Sequence, residues 1–175
     1  MYLILIQYII TESKSLVLLK KDGIFMMIEI KRFADLTPQT LFAIYKLRVA
    51  VFVVEQACPY QEVDGADLTA FHLMIREPSG GLAAYARLIP EANGTVARIG
   101  RVIVAQPFRG RGLAKKLMNL AIDQSPRLIP NANKIVLAGQ AYLKDFYHSF
   151  GFKDTSDGYL EDGIPHINMA MPINQ

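Results

Sequence analysis

Apolar and polar positions along the chain change their spacing several times, and each change predicts an element. An apolar run from Met1 to Ile10, interrupted by Gln7, is followed by polar residues from Thr11 to Ser15 and a second apolar run from Leu16 to Leu19. Lys20, Lys21, Asp22 and Gly23 read as a turn, and Ile24 to Ile30 as a short strand. Thr37 before Pro38 is a helix start, because the hydroxyl caps a free N–H and the ring presets φ. Leu41, Ile44, Tyr45 and Val51 then share one helical face, predicting a helix of about thirteen residues. Cys58 to Asp67 reads as a loop and Leu68 to Arg76 as a strand. Pro78-Ser79-Gly80-Gly81 predicts a hairpin turn, with Leu82 to Ile89 returning from it. Asn93-Gly94 predicts a second tight turn into a strand from Thr95 to Ala105.

The period changes again after that strand. Leu113, Leu117, Leu120 and Ala121 recur at helical spacing, and Pro126 is expected to stop the helix. Lys134 to Ala138 reads as a short buried strand. Ala141 to Ser149 reads as a further amphipathic helix, with Leu143, Phe146 and Phe150 inward and Gly151 at its end. Phe152 and the segment His166 to Met171 supply the last strands. The order is α+β: an antiparallel meander, then strand–helix crossovers.

Between the meander and the second half lies Arg109-Gly110-Arg111-Gly112-Leu113-Ala114. It follows an apolar strand and opens an amphipathic helix. Two glycines let the backbone approach a ligand, and the free N–H groups of a first helical turn attract an anion. A nucleotide-triphosphatase loop would need Lys and then Ser or Thr at its end, and Leu113 follows Gly112 instead. A dinucleotide fingerprint would need a small residue where Lys115 stands. A tight turn without a ligand is the remaining plain reading of the hexamer.

The hexamer resembles the Gln/Arg-x-x-Gly-x-Gly/Ala loop of the GCN5-related N-acetyltransferases (GNAT), with Arg109, Gly112 and Ala114 at its defining places. Phe146-Tyr147-His148-Ser149-Phe150-Gly151-Phe152 resembles the tyrosine-bearing helix and Gly-Phe turn of the same enzymes. Leu47 to Gln56, Cys58 to Leu68 and Glu161-Asp162-Gly163-Ile164-Pro165-His166 are similar to the ElaA-like branch. The resemblance spans roughly Met27 to Pro172. It implies an acyl-CoA N-acyltransferase fold: one mixed sheet, splayed between its fourth and fifth strands, with flanking helices. It also implies acetyl-CoA as cosubstrate, bound by Val102, Ile103, Val104, Gln140, Tyr147 and the loop from Arg109 to Ala114. The acceptor would be a small-molecule or exposed primary amine. Tyr147 is the candidate general acid, since a phenol stays protonated at neutral pH. Glu55, Glu62, Asp64, His72, Glu161 and His166 are candidates for the base, with Glu161 and His166 on an acidic turn suited to a cationic amine. His72 lies on an apolar strand and is more simply a core residue. Arg48 is a packing partner for one of the acids. Lys115 and Lys116 fall where a ribose phosphate would lie, although exposed helix lysines ordinarily face solvent.

Composition narrows the alternatives. The chain has 175 residues, 51% hydrophobic and 20% charged, as for a folded single domain. A net charge of +3 gives no reason to expect nucleic acid. Met1 to Ile10 is too short to cross a bilayer and lacks the flanks of a signal peptide. The single cysteine, Cys58, rules out an intrachain disulfide and fits a cytoplasmic protein. Cys58, Asp64, Asp67, His72 and His166 lack the spacing of a metal motif, so no metal is expected. The domain is taken as residues 26–175. Residues 1–25 are an extension: an added hairpin, an oligomer contact or translated upstream sequence. A homodimer would form at the sheet edge or through the apolar N-terminus. The alternative to an enzyme is a non-catalytic acyl-CoA sensor.

Overall fold

The computed structural model describes residues 17–21 and 24–173. The apolar run Met1 to Ile10 and the Asp22-Gly23 pair lie outside them. Among the described residues a nine-stranded mixed sheet forms the centre. β1 (Val17–Lys21) pairs antiparallel with β2 (Ile24–Arg32), so Lys20 and Lys21 belong to a strand rather than to the expected turn. β3 (Phe71–Arg76), β4 (Leu82–Glu91) and β5 (Val96–Val104) follow as antiparallel neighbours. The β3–β4 hairpin is closed by Glu77 N–H to Gly81 O at 3.0 Å and Gly80 N–H to Glu77 O at 2.9 Å.

α1 (Pro38–Arg48) starts as the sequence predicts, with Thr37 Oγ1 accepting from Thr40 N–H at 3.2 Å. Its end differs. The spiral widens into a π-helical segment, Val49–Glu55, closed by Gln56 N–H to Val51 O and Cys58 N–H to Val53 O. β-Branched side chains crowd an α-turn, and this is the stretch that carries four valines.

Helices cover both faces of the sheet. Ile44 and Val51 pack on one face against Met74, Tyr85 and Ile103. α2 (Leu113–Leu128) packs on the other through Leu113, Leu117, Met118 and Ala121, against Leu73, Ile75, Ala86 and Ile99. β3 is therefore buried along its whole length, which is why it reads as a continuous apolar run. Pro126 does not stop α2. It falls in the last turn, where Ile129 N–H bonds Ser125 O at 2.9 Å and the Ser125 hydroxyl bonds Ala121 O at 2.7 Å. The lost donor therefore interrupts little.

β6 (Lys134–Gln140) runs parallel to β5, but the pairing covers only Val96–Arg98 against Lys134–Val136. Beyond it β6 leaves β5 and pairs along its whole length with β9 (Ile164–Pro172), which also carries β7 (Lys153–Asp154) and β8 (Tyr159–Glu161). Counted from β2, the splay falls between the fourth and fifth strands, as the resemblance implies. The expected helix Ala141–Ser149 is a 3-10 turn, Ala141–Leu143, followed by a short α3 (Lys144–His148). Its deepest side chain is Tyr147, while Leu143, Phe146 and Phe150 are half-buried. Phe152 is buried but precedes β7 rather than lying in it.

Candidate active site

The splay opens a cleft of about 550 Å³ between β5 and β6. One wall is β5 from Ile99 to Val104, the other is Leu137, Ala138 and Gln140 of β6 with Tyr147 of α3. Ala105 N–H donates to Ala83 O of β4, at 2.9 Å. Antiparallel strands alternate the direction of successive peptide groups. Val104 therefore turns its N–H and C=O away from β4, and its carbonyl accepts from Arg109 Nε at 3.1 Å. Ile103, facing Tyr85, turns the other way and buries its side chain against α1. Of the strand segment Val102 to Val104, the peptide available to a ligand is thus Val104's rather than Ile103's.

At the end of β5 the chain turns into α2. Gly110 and Gly112 have φ of +73° and +74°, a conformation costly for any residue with a Cβ. Gly112 is the N-cap, so the first N–H groups of a sixteen-residue helix are free at this loop. Leu113 is buried in the core and anchors the helix start, and Ala114 is half-buried. Arg111 is exposed, its guanidinium 5.3 Å from the Phe108 ring. Arg109 forms a two-pronged ion pair with Glu55 at 2.7 and 2.8 Å, tying the loop to the π-helical segment.

Tyr147 reaches the cleft from α3 and is 7% exposed. Burial pushes its phenol up to about 12. The ring lies so close over β6 that a Cβ on Gly139 would meet it at 2.7 Å; Gly139 makes room for Tyr147. His166 faces the same cleft from β9, and its Nδ1 lies 2.8 Å from Ile164 O. That partner can only accept, so the network assigns the proton to Nδ1 and leaves the Nε2 lone pair free. Glu161 joins the cleft from β8, exposed and approached by the Tyr159 hydroxyl at 3.4 Å. Gln140 donates to Gln56 Oε1 at 3.1 Å, across the cleft.

Residues 33–173 match the family model described as an acetyltransferase (GNAT) domain. The chain belongs to the GNAT family. A UPF0039 protein of Schizosaccharomyces pombe is 49% identical over 143 residues, 82% of this chain and 95% of its own. Protein ElaA of Escherichia coli is 41% identical over 144 residues, 81% of this chain and 94% of its own. The crystal structure of an acyl-CoA N-acyltransferase from Pseudomonas aeruginosa has a TM-score of 0.77 at 43% identity, covering 83% of this chain and 98% of that one. The ElaA crystal structure gives the same TM-score at 38% identity and the same coverage. The chain is an ElaA-like member of the family, and the GNAT fold supports acyl transfer from a coenzyme A thioester.

The cleft brings together Tyr147, His166, Glu161, Gln140, Val104 and Arg109, and it leaves out three candidates for the base. Glu62 and Asp64 are held by arginines outside the cleft. Arg48 Nε reaches Glu62 at 2.8 Å and its Nη1 reaches Asp67 at 2.6 Å; Arg87 holds Asp64 at 2.6 Å and Asp67 at 2.9 Å. Arg87 keeps the Asp64 carboxyl below the usual carboxylate range. His72 is fully buried, with Nδ1 at 2.8 Å from the Tyr85 hydroxyl and Nε2 at 3.0 Å from Asp67 O. Desolvation holds its pKa down, so it sits neutral in the core. Glu55 lines the cleft but is occupied by Arg109, which lowers its pKa. Cys58 is buried, its thiol 3.5 Å from Asp162 O. Among the described residues no three His, Cys, Asp or Glu side chains converge as metal ligands, and no helix is long and apolar enough to cross a membrane. Sequence reasoning missed Arg101, Phe52 and Tyr60, which also line the cleft. A charged residue interrupting the apolar strand Ile99 to Val104 was the signal for the first.

Proposed function

We propose that this protein transfers an acetyl group from acetyl-CoA to a primary amine, by direct attack within a ternary complex. The observation that supports it best is the splayed β5 edge, which brings the Val104 peptide, Arg109 at the start of the glycine loop and Tyr147 to one cleft. The loop from Arg109 to Ala114, with the free amides of α2, takes the cofactor's pyrophosphate. Val104 N–H polarises the thioester carbonyl, and Gln140 bonds the pantetheine arm. His166 Nε2 accepts a proton from the amine, and Glu161 beside it attracts the cationic form. The neutral amine nitrogen then bonds the carbonyl carbon, the C–S bond breaks, the nitrogen loses its second proton to solvent and the thiolate takes the Tyr147 proton. Solvent returns to Tyr147 the proton that His166 releases, so the products are an amide and the free thiol. The acceptor is a small molecule or an exposed amine. Residues 26–175 form the catalytic domain and residues 1–25 an extension to it.

Calorimetric titration with acetyl-CoA, against dephospho-CoA and NAD, tests the cofactor. Saturable binding that is lost in Arg109→Ala with Gly112→Trp is the expected result; folded protein that binds nothing would remove the reading. Release of free thiol with spermidine, tyramine and a lysine-containing peptide then tests transfer. Binding without turnover of any amine across a wider panel would favour an acyl-CoA sensor.

A further inference from the structure

Acyl transfer as described leaves Arg101 without a part, yet β5 is distorted around it. Its φ is +56°, a region that residues with a Cβ rarely occupy. The β4–β5 register slips at the same place. Tyr85 faces Ile103 and Arg87 faces Gly100, so Arg101 and Val102 together stand opposite Ala86. A bulge of this kind re-aims a side chain. Here it brings Arg101 into the cleft wall, three residues before the peptide of Val104.

From there one guanidinium joins three elements. Nε donates to Glu62 Oε1 at 2.7 Å and Nη2 to Glu62 O at 3.2 Å. Asp64 Oδ2 lies at 3.7 Å. The ring of Phe52, on the π-helical segment, is 5.5 Å away, and the ring of Tyr60, in the Cys58–Asp67 loop, is 5.6 Å away. Glu62 is held from behind by Arg48, through both its carboxylate and its carbonyl. A planar fork with several donors and an aromatic-stacking face suits this set of partners, and an ammonium does not.

We propose that Arg101 is a positioning residue for the acceptor amine: through Glu62, Phe52 and Tyr60 it fixes the loop from Cys58 to Asp67 as the wall against which the amine is held. The proposal rests on reading the cleft as an acyltransferase site, and it assigns to Arg101 no contact with the cofactor.

Arg101→Gly separates side chain from backbone, because glycine accepts a φ of +56° without strain. Acetyl-CoA affinity by calorimetry should stay within about twofold of wild type. KM for whichever of spermidine, tyramine or the lysine peptide is turned over should rise about tenfold or more, with kcat within about threefold. That split marks lost ground-state positioning rather than lost chemistry. Arg101→Lys should recover part of the KM, and it carries the test if the glycine variant fails to fold. Hydrogen exchange across residues 58–67 should quicken in either variant. An unchanged KM, an equal loss of acetyl-CoA affinity, or unchanged exchange across that loop would overturn the proposal. Wild-type protein that binds no acetyl-CoA would overturn the acetyltransferase reading instead. Exchange across residues 58–67 would then still decide whether Arg101 orders the loop.

Discussion

The loop from Cys58 to Leu68 and the turn from Tyr159 to His166 carry the same kinds of residue, and the fold treats them in opposite ways. In the loop, Glu62 and Asp67 are 3% and 1% exposed, and every carboxylate has an arginine within 3 Å. In the turn, Glu161 is exposed and His166 half-buried, and neither has a cationic partner among the described residues. A carboxylate clamped by a guanidinium away from the cleft lining is a poor base, because a substrate in the cleft does not reach its oxygens. An unclamped group beside a cleft can accept a proton. Chemistry at this site is therefore decided by what each side chain is already doing, and partners distant in sequence decide that.

The sharpest way to break the contrast is to remove one clamp. Arg48→Ala would leave Glu62 and Asp67 buried with part of their charge uncompensated. The expected loss of stability is about 3–5 kcal/mol, the usual cost of breaking a buried pair from one side. Denaturant unfolding measures it directly. A loss under about 1 kcal/mol would mean that the network contributes little and that the loop is held by packing. His166→Gln should lie at the other extreme, with stability nearly unchanged and turnover reduced about a hundredfold.

Tyr147 sharpens the comparison from the acid side. Tyr147→Phe should reduce kcat about tenfold to a hundredfold while leaving acetyl-CoA affinity within about twofold. Unchanged turnover would remove the residue from the mechanism. The pH dependence has a definite sign. Burial raises the phenol to about 12 in the folded protein, above an ordinary value of about 10. The fold thus favours the neutral form. Its contribution to stability is complete below about pH 10 and is lost as pH rises through about 12. A rate profile that falls between about pH 8 and 9 would have to come from another group. Gly139→Ala is a milder perturbation of the same residue. Its Cβ would press on the Tyr147 ring, so turnover should fall about tenfold with the hydroxyl still present.

How much of this could be read from the chain follows the range of the interactions. The Thr37-Pro38 cap, the turn before Leu82 and the loop from Arg109 to Ala114 are set by neighbours in sequence, and the fold places them where the pattern does. The π-helical segment after Arg48 and the passage of α2 through Pro126 are not legible. Each depends on how a helix end meets the rest of the molecule. His166 stood out beside Glu161 on the acidic turn, but nothing near Glu62 in sequence shows that it is clamped. Arg48 lies fourteen residues from Glu62, and the lone pair of His166 is free because Ile164 O takes its other nitrogen. The left-handed backbone of Arg101 had no local signature beyond a charge in an apolar strand.

Glu55 and Arg109 test the contrast at its weakest point, since this pair lines the cleft yet stands in solvent. Their side chains are 46% and 41% exposed, so screening leaves the interaction a small contribution, about 0.2–1 kcal/mol at most. Glu55→Gln should destabilise the protein by no more than that at neutral pH and low salt. In about 1 M salt, where the Debye length is about 3 Å, the difference should vanish. The sign of the pH effect follows from the cause. Arg109 lowers the folded-state pKa of Glu55, so the stabilisation is present above the ordinary carboxylate pKa and fades as pH falls through the lower folded value. Wild type and variant should converge in acid. Unfolding curves for both proteins at two salt concentrations and across acid pH measure this. A difference that persists in high salt would place Glu55 with the clamped acids of the loop, and the division between locked and available carboxylates would have to be redrawn at the cleft mouth.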